Sequence, residues 1–468
     1  MNTLTLIEKT LKITSMPMVK AIANLFCLNK ERIKKKDVVE TICSEINLHF
    51  KDSPIKRKLV AEECRIMQKY YFKEQIKKLS LRKRNLKILN DYREKLKLLE
   101  SIDSSDEIID FLSRYYINDM AADFDPAFLI VFKVIAKLLF KNMHSSLRLT
   151  EESNEPVEKV KHLQGKYPLF FMPNHISNAD HIPLCIALNK AGIFHPIIVA
   201  GANLYRGVSR KILPKANCYK LQRDYIHGNV KWLSNPLYNM VFKKYNYYLW
   251  SHNEPFLFYI EGTRSRDGKI LPPKYGFLKE IVNFVGEFKT KAYFVPISLS
   301  YTVVPEDLEL VQSLRGKNIS QKDLLTQNLE LDKIYGSVKD SSIYINISEP
   351  VEISYENIPN VTELGKKLLG IISENIVVTP TYHLAVALKN LSEEQFSLSE
   401  VREVFSEKFF TAEKSDYKLL LSVDEILEAG IDVFVKKNAI QNIGDETFKI
   451  VNKDLVVQYA NRVAHFYE

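Results

Sequence analysis

The segment "YPLFFMPNHISNADHIPLCIALNKA" (167–191) joins an apolar run to an amphipathic stretch through a short polar turn. Residues 167–173 read as a buried strand and residues 181–191 as a helix. Ser177 and Asp180 have the spacing of a helix capping box, although Glu or Gln is the usual partner at the later position. His175 and Asp180 lie five residues apart. On one continuous helix their side chains would diverge by about 140°. They meet only if the histidine sits on the strand-to-helix turn and the aspartate in the first turn of the helix. Three readings are open: a general base with its orienting carboxylate, part of a metal site, or a capped helix start with a packed histidine.

The same alternation extends outward. "HPIIVAG", "CYKLQ", "PFLFYIE", "KAYFVPISLSY" and "SSIYINIS" are further candidate strands, and 229–250 and 276–288 are amphipathic stretches between them. Strands alternating with helices predict an α/β layer with its sheet covered by helices; the expected fold class is a central mixed sheet covered by helices. Before about residue 115 the apolar positions Ile76, Leu79, Leu86, Leu89, Tyr92, Leu96 and Leu99 recur at helical spacing. After about residue 375 the pattern is again helical, with capping boxes expected at Ser392–Gln395 and Ser397–Glu400. The expected organisation is a helical region over 1–115, an α/β domain over 116–375 and a mainly helical region over 376–468.

The 468 residues are 46% hydrophobic and 26% charged, a globular rather than a disordered balance. Lys and Arg outnumber Asp and Glu 66 to 57, for a formal charge of +9, which leans mildly toward anionic partners: membrane surfaces, phosphorylated metabolites or nucleic acid. Five cysteines without a C-x-x-C pair argue against a disulfide framework or a zinc knuckle. The first twenty residues, "MNTLTLIEKTLKITSMPMVK", carry charges where a signal peptide needs its apolar core. No run reaches the 18–20 apolar residues of a membrane span. "DPAFLIVFKVIAKLLFKNM" (125–143) is more unusual. Asp125 and Pro126 open a helix, and Lys133, Lys137 and Lys141 form a narrow basic stripe on an apolar cylinder, suited to a core or to a lipid interface.

The metal reading of the turn weakens on ligand count. His175, Asp180 and His181 resemble part of an H-x-H-x-D-H motif, but Ile176 and Asn178 occupy the other histidine positions. No metal is therefore expected, and His181 is read as a packing or surface residue. A second constellation lies 86 residues beyond His175, in "FLFYIEGTRSRDGKILPPKYG" (256–276). Its strand runs into Glu261-Gly262-Thr263-Arg264-Ser265-Arg266, followed by Gly268, Lys269 and Lys274. Arginine forks, hydroxyls and flexible glycines at a strand end suit an anion clamp. It is not a Walker loop, since G-x-x-x-x-G-K-[ST] is absent. A charged surface loop is the plainer reading for Arg266 and Lys269.

Together the two constellations resemble the glycerolipid acyltransferase superfamily. Asn174, His175, Ser177 and Asp180 match its N-H-x-S-x-x-D motif, and Glu261 to Arg266 with Gly268 and Lys269 match its E-G-T-R-S-R-x-G-K motif. "VAGANL" (199–204), "NCYKLQRDY" (217–225) and "FVPISLSYTVVPE" (294–306) resemble segments of the glycerol-3-phosphate branch, as do "IYINISEPVEI" and the final "YANRVAHF". Arg223 matches the second arginine of the 217–225 motif, while Gln222 stands in place of the first, Asn217 in place of a glycine, and Ile176 where the branch often carries arginine. The resemblance covers roughly residues 125–468.

The resemblance implies an enzyme that moves a fatty acyl group from acyl-CoA or acyl-carrier protein to the 1-hydroxyl of glycerol 3-phosphate, giving lysophosphatidate. His175 would be the general base and Asp180 its orienting partner. Arg223, Arg264, Arg266 and Lys274 would hold the acceptor's phosphate. Glu261 and Gly262 would shape that pocket, with Thr263 and Ser265 among its substrate-binding residues, and Pro296 would line the acyl-donor side. No cofactor is expected beyond the thioester co-substrate. The expected setting is peripheral, on the cytoplasmic side of a membrane, with no nucleic-acid partner. Lysophosphatidate and dihydroxyacetone phosphate are alternative acceptors, and a non-enzymatic basic protein binding membranes or RNA is the alternative of another class.

Overall fold

The computed structural model describes residues 33–81, 86–139, 141–205, 207, 209–227, 234–316, 324–408 and 421–467. The strands in chain order are β1 (Leu147–Leu149), β2 (Leu169–Pro173), β3 (Ile197–Gly201), β4 (Cys218–Leu221), β5 (Phe256–Leu257), β6 (Lys291–Tyr301), β7 (Ile343–Ile347), β8 (Val351–Ser354), β9 (Gln395–Ser397), β10 (Ile440–Gly444) and β11 (Thr447–Ile450). The chain divides into two compact units. One contains the described parts of Ser15–Leu129 and Val199–His252, the other Ile130–Ile198 and Asn253–Glu468.

In the second unit the sheet runs β1-β7-β6-β2-β5-β3, with β8 also beside β6. β2 lies parallel to both β5 and β6, and β7 and β8 pair antiparallel with the two halves of β6. The sheet is therefore mixed, as expected for the fold class. All five residues of β2 are buried, which accounts for its unbroken apolar run. The longest strand, β6, carries no charged residue after Lys291 and is buried along nearly its whole length. Helix Val361–Glu374 packs on β6, and helix His181–Lys190 on β1 and β7. "PFLFYIE" is extended as a strand only at Phe256–Leu257. Its Phe258 N–H still donates to Phe171 O (3.1 Å) before the chain turns at Ile260.

The C-terminal part of this unit is mainly helical, through Pro380–Lys389, Leu398–Lys408, Val423–Lys436 and Lys453–Asn461, and it includes a small antiparallel sheet β10-β11-β9. The capping box at Ser397–Glu400 forms: the Glu400 N–H donates to Ser397 Oγ (3.3 Å), and the Ser397 N–H to Glu400 Oε2 (2.6 Å). The one expected at Ser392–Gln395 does not, because Gln395 opens β9 and pairs with Lys449. Strand pairing outcompetes the local cap.

The other unit is built from helices Lys35–His49, Pro54–Leu81, Leu86–Ser101 and Ser105–Met120 together with Pro236–Ser251. Its core is aromatic. Tyr116 packs edge-on against Tyr225 and Tyr238, its hydroxyl donates to Gln68 Oε1 (3.1 Å), and Asn235 Nδ2 donates to it (2.8 Å). The sequence places this helical N-terminal region before the α/β segment, yet residues 199–252 return to pack with it. Asn217, which stands where the resembling motif has glycine, adopts φ +62°, a left-handed conformation that asparagine tolerates better than most side chains. Asp125 caps the helix Pro126–Leu139 by accepting from the Phe128 N–H at 3.0 Å. The side chains of Lys133 and Lys137, residues 1–32 and residues 229–233 lie outside the described residues. No helix among the described residues is long and apolar enough to cross a membrane.

Candidate active site

β2 delivers the turn. After Pro173, the Asn174 side chain continues the strand's pairing: Oδ1 accepts from the Leu299 N–H (2.7 Å) and Nδ2 donates to Leu299 O (3.1 Å). This fixes the chain end against β6 and leaves His175 as the first residue free of the sheet. The helix begins only at His181, with Asp180 as its N-cap residue. Residues 174–180 therefore form the strand-to-helix turn that the His–Asp pair requires.

Asp180 is fully buried and satisfied on both carboxylate oxygens. Oδ2 accepts from the Ile176 N–H (2.8 Å), the Ser177 N–H (2.9 Å) and His175 Nδ1 (2.9 Å), and Oδ1 accepts from the Tyr301 hydroxyl (2.8 Å). A carboxylate only accepts, so the geometry assigns the His175 proton to Nδ1 and the lone pair to Nε2. Burial, then the charge of Asp180, holds the Tyr301 phenol well above its ordinary value, so it remains a donor. The expected capping box forms in modified shape. Asp180 takes the Ser177 N–H, but Ser177 Oγ accepts from the Ala179 N–H (2.9 Å) rather than from Asp180. The freed hydroxyl proton goes to Glu306 Oε2 at 2.5 Å.

The His175 ring stacks on Tyr259, with centroids 3.9 Å apart and planes inclined by 17°. Its backbone is set by Glu261, whose Oε2 accepts the His175 N–H (2.7 Å) and whose Oε1 accepts the Leu271 N–H (3.0 Å). Burial pushes the Glu261 carboxyl up to about 7, against the opposing pull of those two backbone bonds. Glu306 is likewise raised by burial, offset by the Ser177 hydroxyl and by Arg264, which lies 3.9 Å away. Its backbone is left-handed, at φ +51°.

The structure brings His175, Asp180, Glu261, Arg264 and Ser265 together in one unit. Ser265 is buried, and its N–H reaches His175 O at 3.4 Å. Gly262 has φ +68°, and an added Cβ would come 2.9 Å from the Lys274 side chain, so glycine is required there. Thr263, Arg266 and Lys274 are on the same loop with their side chains exposed. Pro296 is a buried β6 residue opposite Met172. Arg223 belongs to the other unit, exposed at the start of the short helix Arg223–His227. Burial also holds the His181 imidazole below its ordinary value. Among the described residues, no cluster of His, Cys, Asp and Glu is arranged to hold a metal.

Four residues around this site had no role on sequence grounds: Tyr259, Tyr301, Glu306 and Arg462. Tyr301 and Glu306 were visible in the 294–306 motif, but nothing local says that they reach back to Asp180 and Ser177. Arg462 lies in the final segment and lines the same cavity as His175 and Glu261.

The family model described as Acyltransferase matches residues 151–300, which include this turn and loop. Residues 151–300 are thus similar to an acyltransferase domain. The chain is also similar to curated glycerol-3-phosphate acyltransferases. One, from Pseudomonas putida (strain GB-1), is 25% identical over 242 residues, 51% of this chain and 27% of the relative. Another, from Pseudomonas fluorescens (strain SBW25), is 25% identical over 309 residues, 61% of this chain and 35% of the relative. The matched stretch thus spans about a third or less of those relatives' own length. Among solved structures, the 1-acyl-sn-glycerophosphate (LPA) acyltransferase from Thermotoga maritima aligns over 67% of this chain and 94% of its own, at 13% identity and a TM-score of 0.30. A TM-score this low adds nothing to the fold seen directly in the acyltransferase domain.

Proposed function

We propose that the chain is an O-acyltransferase that moves a fatty acyl group from acyl-CoA or acyl-carrier protein to the 1-hydroxyl of glycerol 3-phosphate, giving lysophosphatidate. The observation that carries this reading is the 2.9 Å contact between His175 Nδ1 and an Asp180 already held by two backbone amides and Tyr301. With Nδ1–H committed to Asp180, Nε2 takes the proton of the acceptor hydroxyl as that oxygen attacks the thioester carbonyl. The tetrahedral adduct expels the thiolate, and the imidazolium returns its proton to the sulfur. Asp180 stabilises the imidazolium while it exists. General-base assistance of this kind is worth about 10² to 10⁴-fold. The route needs neither a metal nor a covalent enzyme intermediate.

Acceptor phosphate binding falls to the basic residues of the 261–274 loop, Arg264, Arg266 and Lys274. Arg264 is the best supported, because Glu306 holds its guanidinium on the same wall as Ser177. The 25% identity to glycerol-3-phosphate acyltransferases favours that acceptor. A membrane surface, on its cytoplasmic side, is the partner this product calls for, and the net charge of +9 suits anionic headgroups. One assay tests the reading. Labelled acyl-CoA, and acyl-carrier protein in parallel, are offered to glycerol 3-phosphate, dihydroxyacetone phosphate and lysophosphatidate. Preferential labelling of glycerol 3-phosphate is expected. Labelling of another acceptor reassigns the substrate, and labelling of none with either donor sinks the reading.

A further inference from the structure

Arg462 is 96% buried by its 4% relative exposure, and neither its Nε nor its Nη2 has a hydrogen-bond partner among the described residues. A guanidinium cannot discharge itself by losing a proton. A buried charge with open donors is costly. Native interiors seldom leave such groups unmatched without a reason. Glu261 lines the same cavity and interacts with Arg462 electrostatically, but its oxygens bond the His175 and Leu271 amides and leave Nε and Nη2 of Arg462 without a hydrogen bond.

The residue is also delivered by a built connection rather than by a loose tail. Helix Lys453–Asn461 ends at Arg462 and docks on the 261–269 loop. Gln458 Nε2 donates to Arg266 O (3.2 Å), and Asn461 Nδ2 to Asp267 O (2.9 Å). Gly268, at φ +88°, passes so close that an added Cβ would lie 1.9 Å from Gln458 O. From the other side, Tyr459 donates to Asp307 Oδ2 (2.8 Å) and accepts from the Val304 N–H (2.9 Å). The guanidinium then faces a cavity shared with His175, Glu261, Ser265 and Lys269.

We propose that Arg462 is a phosphate-recognition residue of the active site, holding the phosphate monoester of the acceptor beside His175. The inference rests on the proposed reading that the acceptor is a phosphorylated alcohol, and it adds the C-terminal helix to the site. A planar fork with two open N–H donors matches phosphate oxygens. The cavity is about 20 Å3, room for roughly one water. Seating a phosphate beside the guanidinium therefore requires the cavity walls, exposed Lys269 among them, to move apart.

The test uses the full chain with Arg462→Met, which removes the charge, and Arg462→Lys, which keeps it without the fork. Calorimetric titrations with glycerol 3-phosphate, inorganic phosphate and CoA are run beside acylation kinetics. Arg462→Met is expected to weaken glycerol 3-phosphate and phosphate binding about tenfold or more. Arg462→Lys should fall between, CoA affinity should hold, and KM for the acceptor should rise more than kcat falls. Unchanged acceptor affinity in a folded Arg462→Met, or a loss confined to CoA, overturns the proposal. If both variants fail to fold, hydrogen exchange on the wild-type chain decides. Protection of residues 459–467 by glycerol 3-phosphate supports it, and no protection overturns it. A wild-type chain that acylates glycerol 3-phosphate with no effect of Arg462 defeats this inference alone. One that binds phosphate through Arg462 yet acylates nothing defeats the proposed reaction alone.

Discussion

The 174–180 turn and the 261–274 loop meet at His175, but they are held in different ways. In the turn, the carboxylate at the centre is saturated by groups a few residues away and by one tyrosine on β6. In the loop, the charged side chains of Arg266 and Lys269 are exposed, and the backbone is pinned from outside by a helix nearly two hundred residues further on. A site assembled from both has its chemistry fixed locally and its binding surface fixed from a distance. Damage to the turn should therefore strike turnover, and damage to the loop should strike stability and acceptor affinity.

The largest effect should come from Asp180→Asn. It removes the charge that stabilises the imidazolium and disturbs the Nδ1 tautomer, so kcat should fall about 10²-fold or more, measured at saturating acceptor. A loss below tenfold would mean that the turn is a helix start and no more. Next is Gly268→Ala. A side chain at φ +88° is strained, and its Cβ would meet Gln458 O, so loop and helix must part. Thermal denaturation should register a loss of about 1–3 kcal/mol, with acceptor KM raised. Wild-type behaviour would break the claim that the helix holds the loop.

Glu261→Gln probes the junction of the two regions. The amide can serve only one of the two backbone N–H groups that the carboxylate serves, for a cost of about 1–3 kcal/mol. The carboxyl's folded value, about 7, lies above its ordinary 4.5, so the native state binds the proton more tightly than the unfolded chain. Its contribution is full below pH 4.5 and is lost as pH rises through 7. Denaturation across that range should show the wild-type advantage over Glu261→Gln narrowing as pH rises; a constant gap would contradict the raised value. The smallest effect belongs to Arg266→Ala, an exposed side chain. Acceptor KM should rise a few-fold, with stability changed by less than about 0.5 kcal/mol.

The same contrast explains what could be read from the sequence. The β2 strand, the turn and the following helix were legible because an unbroken apolar run, a polar turn and a 3.6-residue pattern lie side by side in 167–191. The α/β layer followed from the alternation of such segments. Ser392–Gln395 misled, because a local cap signal competed with pairing between β9 and β11 and lost. That His175 and Asp180 can meet was legible from the turn between them, while their reading as a base and its partner came from the resemblance. Tyr301, Glu306 and Arg462 did not, because each reaches the site from more than a hundred residues away and no local pattern encodes that return. The rejoining of 199–252 with the helical N-terminal region is equally non-local: it rests on aromatic contacts such as Tyr116 with Tyr225 and Tyr238.

The central claim is that His175 and Asp180 act as one base. The direct test is the cycle of His175→Ala, Asp180→Asn and the double variant, with kcat for glycerol 3-phosphate acylation measured on folded protein. Residues that work as a unit lose their contribution once, so the double variant should be no more than about threefold slower than His175→Ala alone. Losses that multiply would show two independent roles and contradict the account.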